Sequence, residues 1–515
     1  MRYFVSFLIG FVCITSHVCG QHTNILISND PQSLNEPAII INPNQPNQLV
    51  AGTNFSQYHY STDGGLTWQN DFLTSSLGTM GDPCIAVDNL NNFYYFHLAP
   101  NIDRIICQKS TNGGQSWSDG TFTTPADILL VHDKEWGVAD PLNNNIYVSW
   151  TQYENPFNPT SADSTDILFA RSSDGGQTWS NPLRLNKVRG DVLYKDVIDP
   201  TPATGINSEV YVAWADSVGI RFDRSLDNGT TWLSDDVLVA TVPTTSYYHV
   251  SGNARDSVRT SANIECDLSN SPYRGTIYVS WTDARNGEDN GDVFVSKSTD
   301  NGNTWSAPLR VNDEGHTAQQ YYSSMTVDQA TGYIYWAFYD RRNHPNSDST
   351  DVYMAVSTDG AQTFNNFKIS ETPFLPNDFV FIGDYLGITA YNNVVRPIWI
   401  RTDNFNQNSL WTAVIDVPLV TGIALLSNTA LSLQMHLSPN PCDNISVIDF
   451  HLPQNGAYRL RITDLQGRIM FEQQEANTVQ GKHQCVVTTN SWTSGIYVCE
   501  LLTNGARLAE RLVVR

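Results

Sequence analysis

An octapeptide recurs six times along this 515-residue chain, and it restricts the fold more than any other feature. It reads S-T-D-G-G-L-T-W at 61–68, S-T-N-G-G-Q-S-W at 110–117 and S-S-D-G-G-Q-T-W at 172–179. It returns as S-L-D-N-G-T-T-W at 225–232, S-T-D-N-G-N-T-W at 298–305 and S-T-D-G-A-Q-T-F at 357–364. The chemistry is that of a turn. An Asp or Asn side chain accepts hydrogen bonds from backbone N–H groups a few residues on. Glycine takes positive φ without steric cost. The closing aromatic packs between neighbouring sheets. Each copy therefore predicts a hairpin turn between two strands, with its Asp structural rather than catalytic.

Apolar runs stand at a fixed place before these turns. They read I-Y-V-S-W at 146–150, V-Y-V-A-W at 210–214 and I-Y-V-S-W at 277–281, with looser copies at 49–52, 93–97 and 334–338. A seventh, at 398–400, has no octapeptide after it. A shorter apolar strand lies upstream of each, as at 37–41, 83–87 and 262–266. The unit is thus strand A, strand B, strand C, turn, strand D, and four-stranded units repeated in this way build a propeller. Seven A–B–C units fit between Glu36 and Val417. The seventh lacks its own strand D, and N-I-L-I-S at 24–28 is placed to supply it and close the ring. Six blades are the alternative if one unit packs differently.

The ends carry other signals. Met1-Arg2-Tyr3 is followed by an apolar run from Phe4 to Ile14 and by small residues before Gln21. This reads as a secretory signal peptide over residues 1–20. Its core is too short to span a bilayer, and no other stretch is long and apolar enough. The net charge of −23 argues against nucleic acid and anionic membranes as partners. Cys84, Cys107, Cys266, Cys442, Cys485 and Cys499 lie outside the signal peptide and match no zinc spacing. A disulfide among the last three and buried free thiols are both open.

The octapeptides resemble the Asp boxes (BNR repeats) of the sialidase, or neuraminidase, superfamily and its wider relatives, over residues 21–418. The resemblance implies an all-β, sialidase-like propeller, and it specifies activity poorly. After a connector at 419–430, residues 431–515 follow a different pattern. L-S-P-N-P at 437–441, an alternating strand at 458–464, a D-x-x-G turn ending at Gly467 and S-G-I-Y-V at 494–498 resemble the C-terminal sorting domain of the Bacteroidetes type IX secretion system. That resemblance implies a small Ig-like β-sandwich and an engagement with the type IX machinery. It also implies passage through the periplasm and outer membrane, ending in release or surface attachment.

In such a propeller the D–A and B–C loops lie on the face opposite the Asp boxes, at the channel mouth. The D–A positions offer Glu36, Asp82, Glu135 and Asp199, then Arg259, Tyr321 and Tyr322, then Asp384 and Tyr385. The B–C loops add Asp283 and Arg285, Asp340, Arg341 and Arg342, and Arg401. An acidic side facing an Arg-rich side suits an acidic sugar, because Arg binds a carboxylate through two parallel bonds. Resemblance to sialidases implies Tyr385 as nucleophile with an acidic partner such as Asp384, and Asp82 or Glu135 as the acid. It implies Arg259, Arg285, Arg341 and Arg401 as binders of substrate. The competing reading makes these arginines salt-bridge partners that fix the B–C loops. No cofactor is required by either reading, and the carboxylate ring is compatible with a structural Ca²⁺. One departure stands out: sialidases open their first unit with an R-I-P-type motif, and here Asn35-Glu36-Pro37 puts Asn35 at the Arg position. Arg104 and Arg259 are the available substitutes. Two functions follow: a secreted glycoside hydrolase acting on sialic acid or other acidic glycans, or a non-catalytic propeller that binds glycan or protein at the cell surface.

Overall fold

A computed structural model describes residues 22–416 and 434–515, apart from short segments at 31–33, 126–128, 161, 195–196, 243–246, 251–256, 288, 377–378, 403–406, 453–454, 465–467 and 504–505. The chain divides into two compact units, Met1–Val417 and Pro418–Arg515. The signal peptide, the connector and the D-x-x-G turn lie outside the described residues.

The first unit is built of antiparallel sheets in the predicted A–B–C–D order. The first blade comprises Ala38–Ile41, Leu49–Gly52, Gln57–Ser61 and Gln69–Phe72, hydrogen-bonded in that sequence. Five further blades follow it in the same order, with inner strands at Cys84–Val87, Leu130–Ala139, Ile198–Thr204, Asn263–Cys266 and Gln320–Val327. The seventh takes Gly387–Tyr391, Val394–Thr402 and Asn408–Ala413 from the far end of the unit and Asn24–Ser28 from the near end. Each inner strand touches the next, and the seventh touches the first, so the ring is closed. The closing strand pairs Asn24 with Ala413 and Leu26 with Trp411. Asn24 Nδ2 also donates to Ile369 O at 2.8 Å, which ties the closure to the sixth blade.

Burial explains why the B strands are so apolar. Trp150, Trp214, Trp281, Trp336 and Trp399 are fully buried between blades. A strand covered on both faces reads as a continuous apolar run rather than an alternating one.

Every octapeptide lies between strands C and D. In the third, Ser172 Oγ donates to Asp174 Oδ1 at 2.8 Å and accepts from Gly176 N at 2.9 Å. Asp174 then accepts from the backbone of Gln177 and Thr178 and from the Thr178 hydroxyl. Gly175 and Gly176 adopt φ of 74° and 81°, which a side chain would strain. These bonds hold the Asp174 carboxyl at about 2, below its ordinary value. Ser172→Ala strips the buried Gly176 N–H of its acceptor and is expected to cost about 1–2 kcal/mol. Denaturant unfolding of this variant beside the parent checks it.

The second unit is a β-sandwich. One sheet joins Gln434–Ser438, Ile445–Leu452 and Gly481–Thr488; the other joins Ile469–Thr478, Gly456–Asp464, Gly495–Thr503 and Ala506–Val514. Ile448, Leu460, Ile462, Cys499 and Leu501 form its dry centre. All six cysteines outside the signal peptide are buried free thiols.

Candidate functional site

Strand register defines the mouth of the channel. In the first six blades, one position stands two residues before the partner of the fourth residue in strand B. These positions are Glu36, Asp82, Lys134, Asp199, Ser261 and Tyr322. In the seventh, Tyr385 stands two residues before Gly387, the partner of the fifth residue of strand B. Five of them share a left-handed backbone: Glu36 at φ 50°, Asp82 at 59°, Lys134 at 55°, Asp199 at 55° and Tyr322 at 50°. In the third, fourth and sixth blades this residue forms a bulge, at Asp133/Trp136, Ile198/Thr201 and Tyr321/Ser324. A bulge of this kind re-aims a side chain away from the sheet.

The third position belongs to Lys134, which the sequence reading passed over in favour of its neighbour Glu135. Glu135 stands one place further on, where Pro37, Pro83 and Pro200 stand in the first, second and fourth blades. The register was visible in those X-Pro pairs, but acidic side chains at three of four units masked it.

Lys134 organises the mouth. Its Nζ lies 2.8 Å from Glu36 Oε1, 2.7 Å from Asp82 Oδ2, 3.3 Å from Asp384 Oδ2 and 3.5 Å from Asp133 Oδ1. Burial opposes its charge, but Asp133, Asp82, Glu36 and Asp384 outweigh burial and hold the ammonium firmly protonated. Asn54, from the first B–C loop, braces the ring: its Nδ2 donates to Glu36 and Asn35, and its Oδ1 accepts from Asp82 N. Asn35 is therefore buried and bonded inside the wall of the mouth.

The carboxyls respond to burial. Asp82 is pushed up to about 6 by burial and by Glu36, against the pull of Lys134. Asp133 is pushed up to about 6 by burial, with Lys134 opposing and Asp82 adding. Glu135 is fully buried, neither of its carboxyl oxygens has a hydrogen-bond partner, and burial together with Asp82 raises it well above the ordinary carboxyl range. Asp199 accepts from Ser261 Oγ at 2.6 Å and lies 3.5 Å from Arg259 Nη1.

Tyr385 sits beside Asp384 with its ring edge-on to Trp136 at 5.2 Å and Lys134 Nζ 5.8 Å from the ring centre. Its hydroxyl points at Pro83 O, 3.5 Å away. Burial, Glu36 and Asp82 all oppose its ionisation and raise it well above the usual phenol value. Beneath the ring, a cavity of about 40 Å³ is lined by Lys134, Trp136, Asp199, Asn263, Asp384 and Tyr385, among others. A space of that size holds water molecules.

The structure holds the remaining arginines separately. Arg285 grips Asp283 with two bonds, Nε to Oδ1 at 2.9 Å and Nη2 to Oδ2 at 2.5 Å, over the Phe294 ring at 4.3 Å. Arg341 is buried and donates to Gln319 Oε1 at 2.6 Å, with Asp348 at 3.3 Å. Arg401 donates to Thr372 Oγ1 at 2.6 Å. Arg342 lies between Asp340, Glu314 and Asp313. Arg104 lies over the Phe122 ring and beside Asp103. Among the described residues, no group of His, Cys, Asp and Glu has the geometry to hold a metal ion.

The fold and site define an exported β-propeller joined to a sandwich. The sandwich is assigned further: residues 436–515 belong to the family described as the secretion system C-terminal sorting domain. That domain directs the chain through type IX secretion to the cell surface or the medium, and no helix among the described residues is long and apolar enough to cross a membrane. Comparison with curated proteins gives no match. Among solved structures, the chain is similar to YCF48 bound to D1 peptide, at 13% identity and TM-score 0.43, over 78% of this chain and 97% of that one. It is similar to a protein of unknown function from Dyadobacter fermentans at 12% identity and TM-score 0.43, over 76% and 98%. A NanB sialidase from Streptococcus pneumoniae gives 10% identity and TM-score 0.43, over 77% and 70%. Likenesses this remote carry no argument about activity.

Proposed function

We propose that this chain is an exported binding propeller without glycosidase activity, presented by its sorting domain at the cell surface or released. The position of Lys134 carries this reading. A substrate carboxylate needs guanidinium groups with donors to spare, and an ammonium already saturated by Glu36, Asp82 and Asp384 supplies none. A tyrosine nucleophile needs help to ionise, whereas Tyr385 is surrounded by burial and negative charge. Arg285 is bound to Asp283 in its own loop, Arg341 donates to Gln319 and Arg401 to Thr372.

Calorimetric titration of the full chain with N-acetylneuraminic acid tests the reading. The expected dissociation constant is weaker than about 1 mM. Tighter binding that Arg259→Ala abolishes would overturn the premise that the mouth has no carboxylate site, and would put Arg259 in the role left vacant at Asn35.

A further inference from the structure

The cavity beneath Tyr385 brings aromatic and polar groups to one small space. Trp136 and Tyr385 line it, their rings edge-on at 5.2 Å, together with Asp199, Asn263, Ser323, Ser324 and Asp384. Trp136, Asn263, Ser323, Ser324 and Tyr385 are partly exposed, so solvent reaches it. A volume of about 40 Å³ accommodates about three water-sized groups.

Several of these groups have hydrogen-bonding capacity that the fold leaves unused. Asp199 is 4% exposed, and its Oδ2 accepts from Ser261 Oγ at 2.6 Å. Its Oδ1 accepts no hydrogen bond from a described residue and lies 3.5 Å from Arg259 Nη1. Asn263 Oδ1 accepts from Met325 N at 2.9 Å, while its Nδ2 donates to no described residue. The Ser323 and Ser324 hydroxyls likewise bond to no described residue. A buried polar oxygen without a donor is costly, and a ligand that supplies the donor removes the cost.

Local charge selects what enters. Glu36, Asp82, Asp133 and Asp384 lie within 3.5 Å of Lys134 Nζ, and Asp199 faces Arg259. Five carboxylates thus stand against two cations among these residues, and Glu135 adds to the acidic side when it ionises. Asp82 and Asp133, at about 6, are ionised at neutral pH. An anion is repelled from such a place. A cation taken out of water needs a carboxylate and further acceptors, which Asp199 Oδ1 and the two serine hydroxyls supply. Aromatic rings add to the attraction. The unused Asn263 Nδ2 suits an oxygen elsewhere on the same molecule.

We propose that the cavity beneath Tyr385 binds a small primary ammonium that also carries a hydroxyl, the ammonium on Asp199 and the serine hydroxyls and the hydroxyl on Asn263. The inference rests on the binding reading above and names the ligand class of the same mouth.

Calorimetric titration of the full chain at neutral pH compares three molecules of similar size: ethanolamine, ethylene glycol and glycolate. Ethanolamine is expected to bind with a dissociation constant of about 1 mM or tighter, and at least about tenfold tighter than the neutral and anionic probes. Asp199→Asn keeps an acceptor for Ser261 and removes the charge, and is expected to weaken ethanolamine at least about tenfold. The double variant Ser323→Ala, Ser324→Ala breaks no bond within the protein. It is expected to weaken ethanolamine about tenfold, the worth of a hydrogen bond to a charged group, with the unfolding midpoint unchanged. Equal binding of ethylene glycol overturns the proposal, because the cavity would then read hydroxyls alone. So does equal competition by potassium chloride, since it would then read charge alone. An affinity that neither variant lowers, or no heat from ethanolamine, overturns it as well. Each of these failures leaves the non-catalytic reading standing, and only turnover of a glycoside would remove that.

Discussion

A Lys134→Met chain is expected to lose about 3–5 kcal/mol of stability at neutral pH, the cost of stranding buried charge by removing its partner. In this case the stranded groups are Glu36, Asp82 and Asp384, each within 3.3 Å of the missing ammonium. Scanning calorimetry should show the propeller transition moving down by roughly 5–10 °C. The loss depends on pH with a definite sign. Asp82 and Asp133 have folded values near 6, above their ordinary 3.8, so the native state binds protons more readily than the unfolded chain. A group raised in this way adds stability as pH falls from about 6 toward 4. Asp174, Asp227 and Asp300 in the turns behave oppositely: at about 2 in the folded state, they help above pH 4 and cease to help below it. On these groups the parent chain should therefore be most stable near pH 4. Without the ammonium the mouth carboxyls rise further, so the deficit of the variant should shrink on acidification from pH 7 to pH 5. A deficit that is constant across that range would mean Lys134 contributes by packing and not by charge.

Removing the closing strand should have the largest effect of all. Deleting His22–Ser28 strips the outer edge from the seventh blade and uncovers Leu410 and Trp411. It also removes buried Ile27 from the core shared by the first, sixth and seventh blades. A loss above about 5 kcal/mol is expected, which approaches the whole stability of many domains. Limited proteolysis should then cut the seventh blade first, within Gly387–Ala413. A synthetic peptide of sequence T-N-I-L-I-S should partly restore protection, because an open strand edge accepts an added strand. Unaltered proteolysis in the deleted chain would show that the ring closes without its N-terminal strand.

How much of this was legible in the residues varies by level. The turns announced themselves, because only a narrow set of residues satisfies their hydrogen bonds and positive φ angles. The closing strand was legible for a topological reason: the unit at 398–400 had strands A to C but no turn after it, and 24–28 was an orphan. The sandwich was legible through the resemblance of residues 431–515 to a C-terminal sorting domain. The mouth was legible only in part. Glu36, Asp82, Asp199, Asp384 and Tyr385 were placed by their position before strand A, and the structure brings Glu36, Asp82 and Asp384 to a single ammonium. That ammonium was missed because acidic chemistry, not strand register, guided the alignment of the third unit. A one-residue slip at a bulge exchanges a mouth position for a buried one. Counting from the X-Pro pairs of the neighbouring units would have found Lys134. The arginines illustrate a different limit. Arg285 and Arg342 each have an Asp two residues before them in the chain, at Asp283 and Asp340, and a neighbour so close takes the guanidinium before any ligand arrives. Sequence spacing suggests such pairs and does not decide them.

The most direct test of the central claim is turnover of a fluorogenic sialoside by the full chain beside a Tyr385→Phe control. A mouth closed by Lys134 predicts no release of fluorophore above the buffer blank from either protein. Release by the parent chain that disappears in the control would contradict it, and would make Tyr385 a catalytic residue in a mouth that opens.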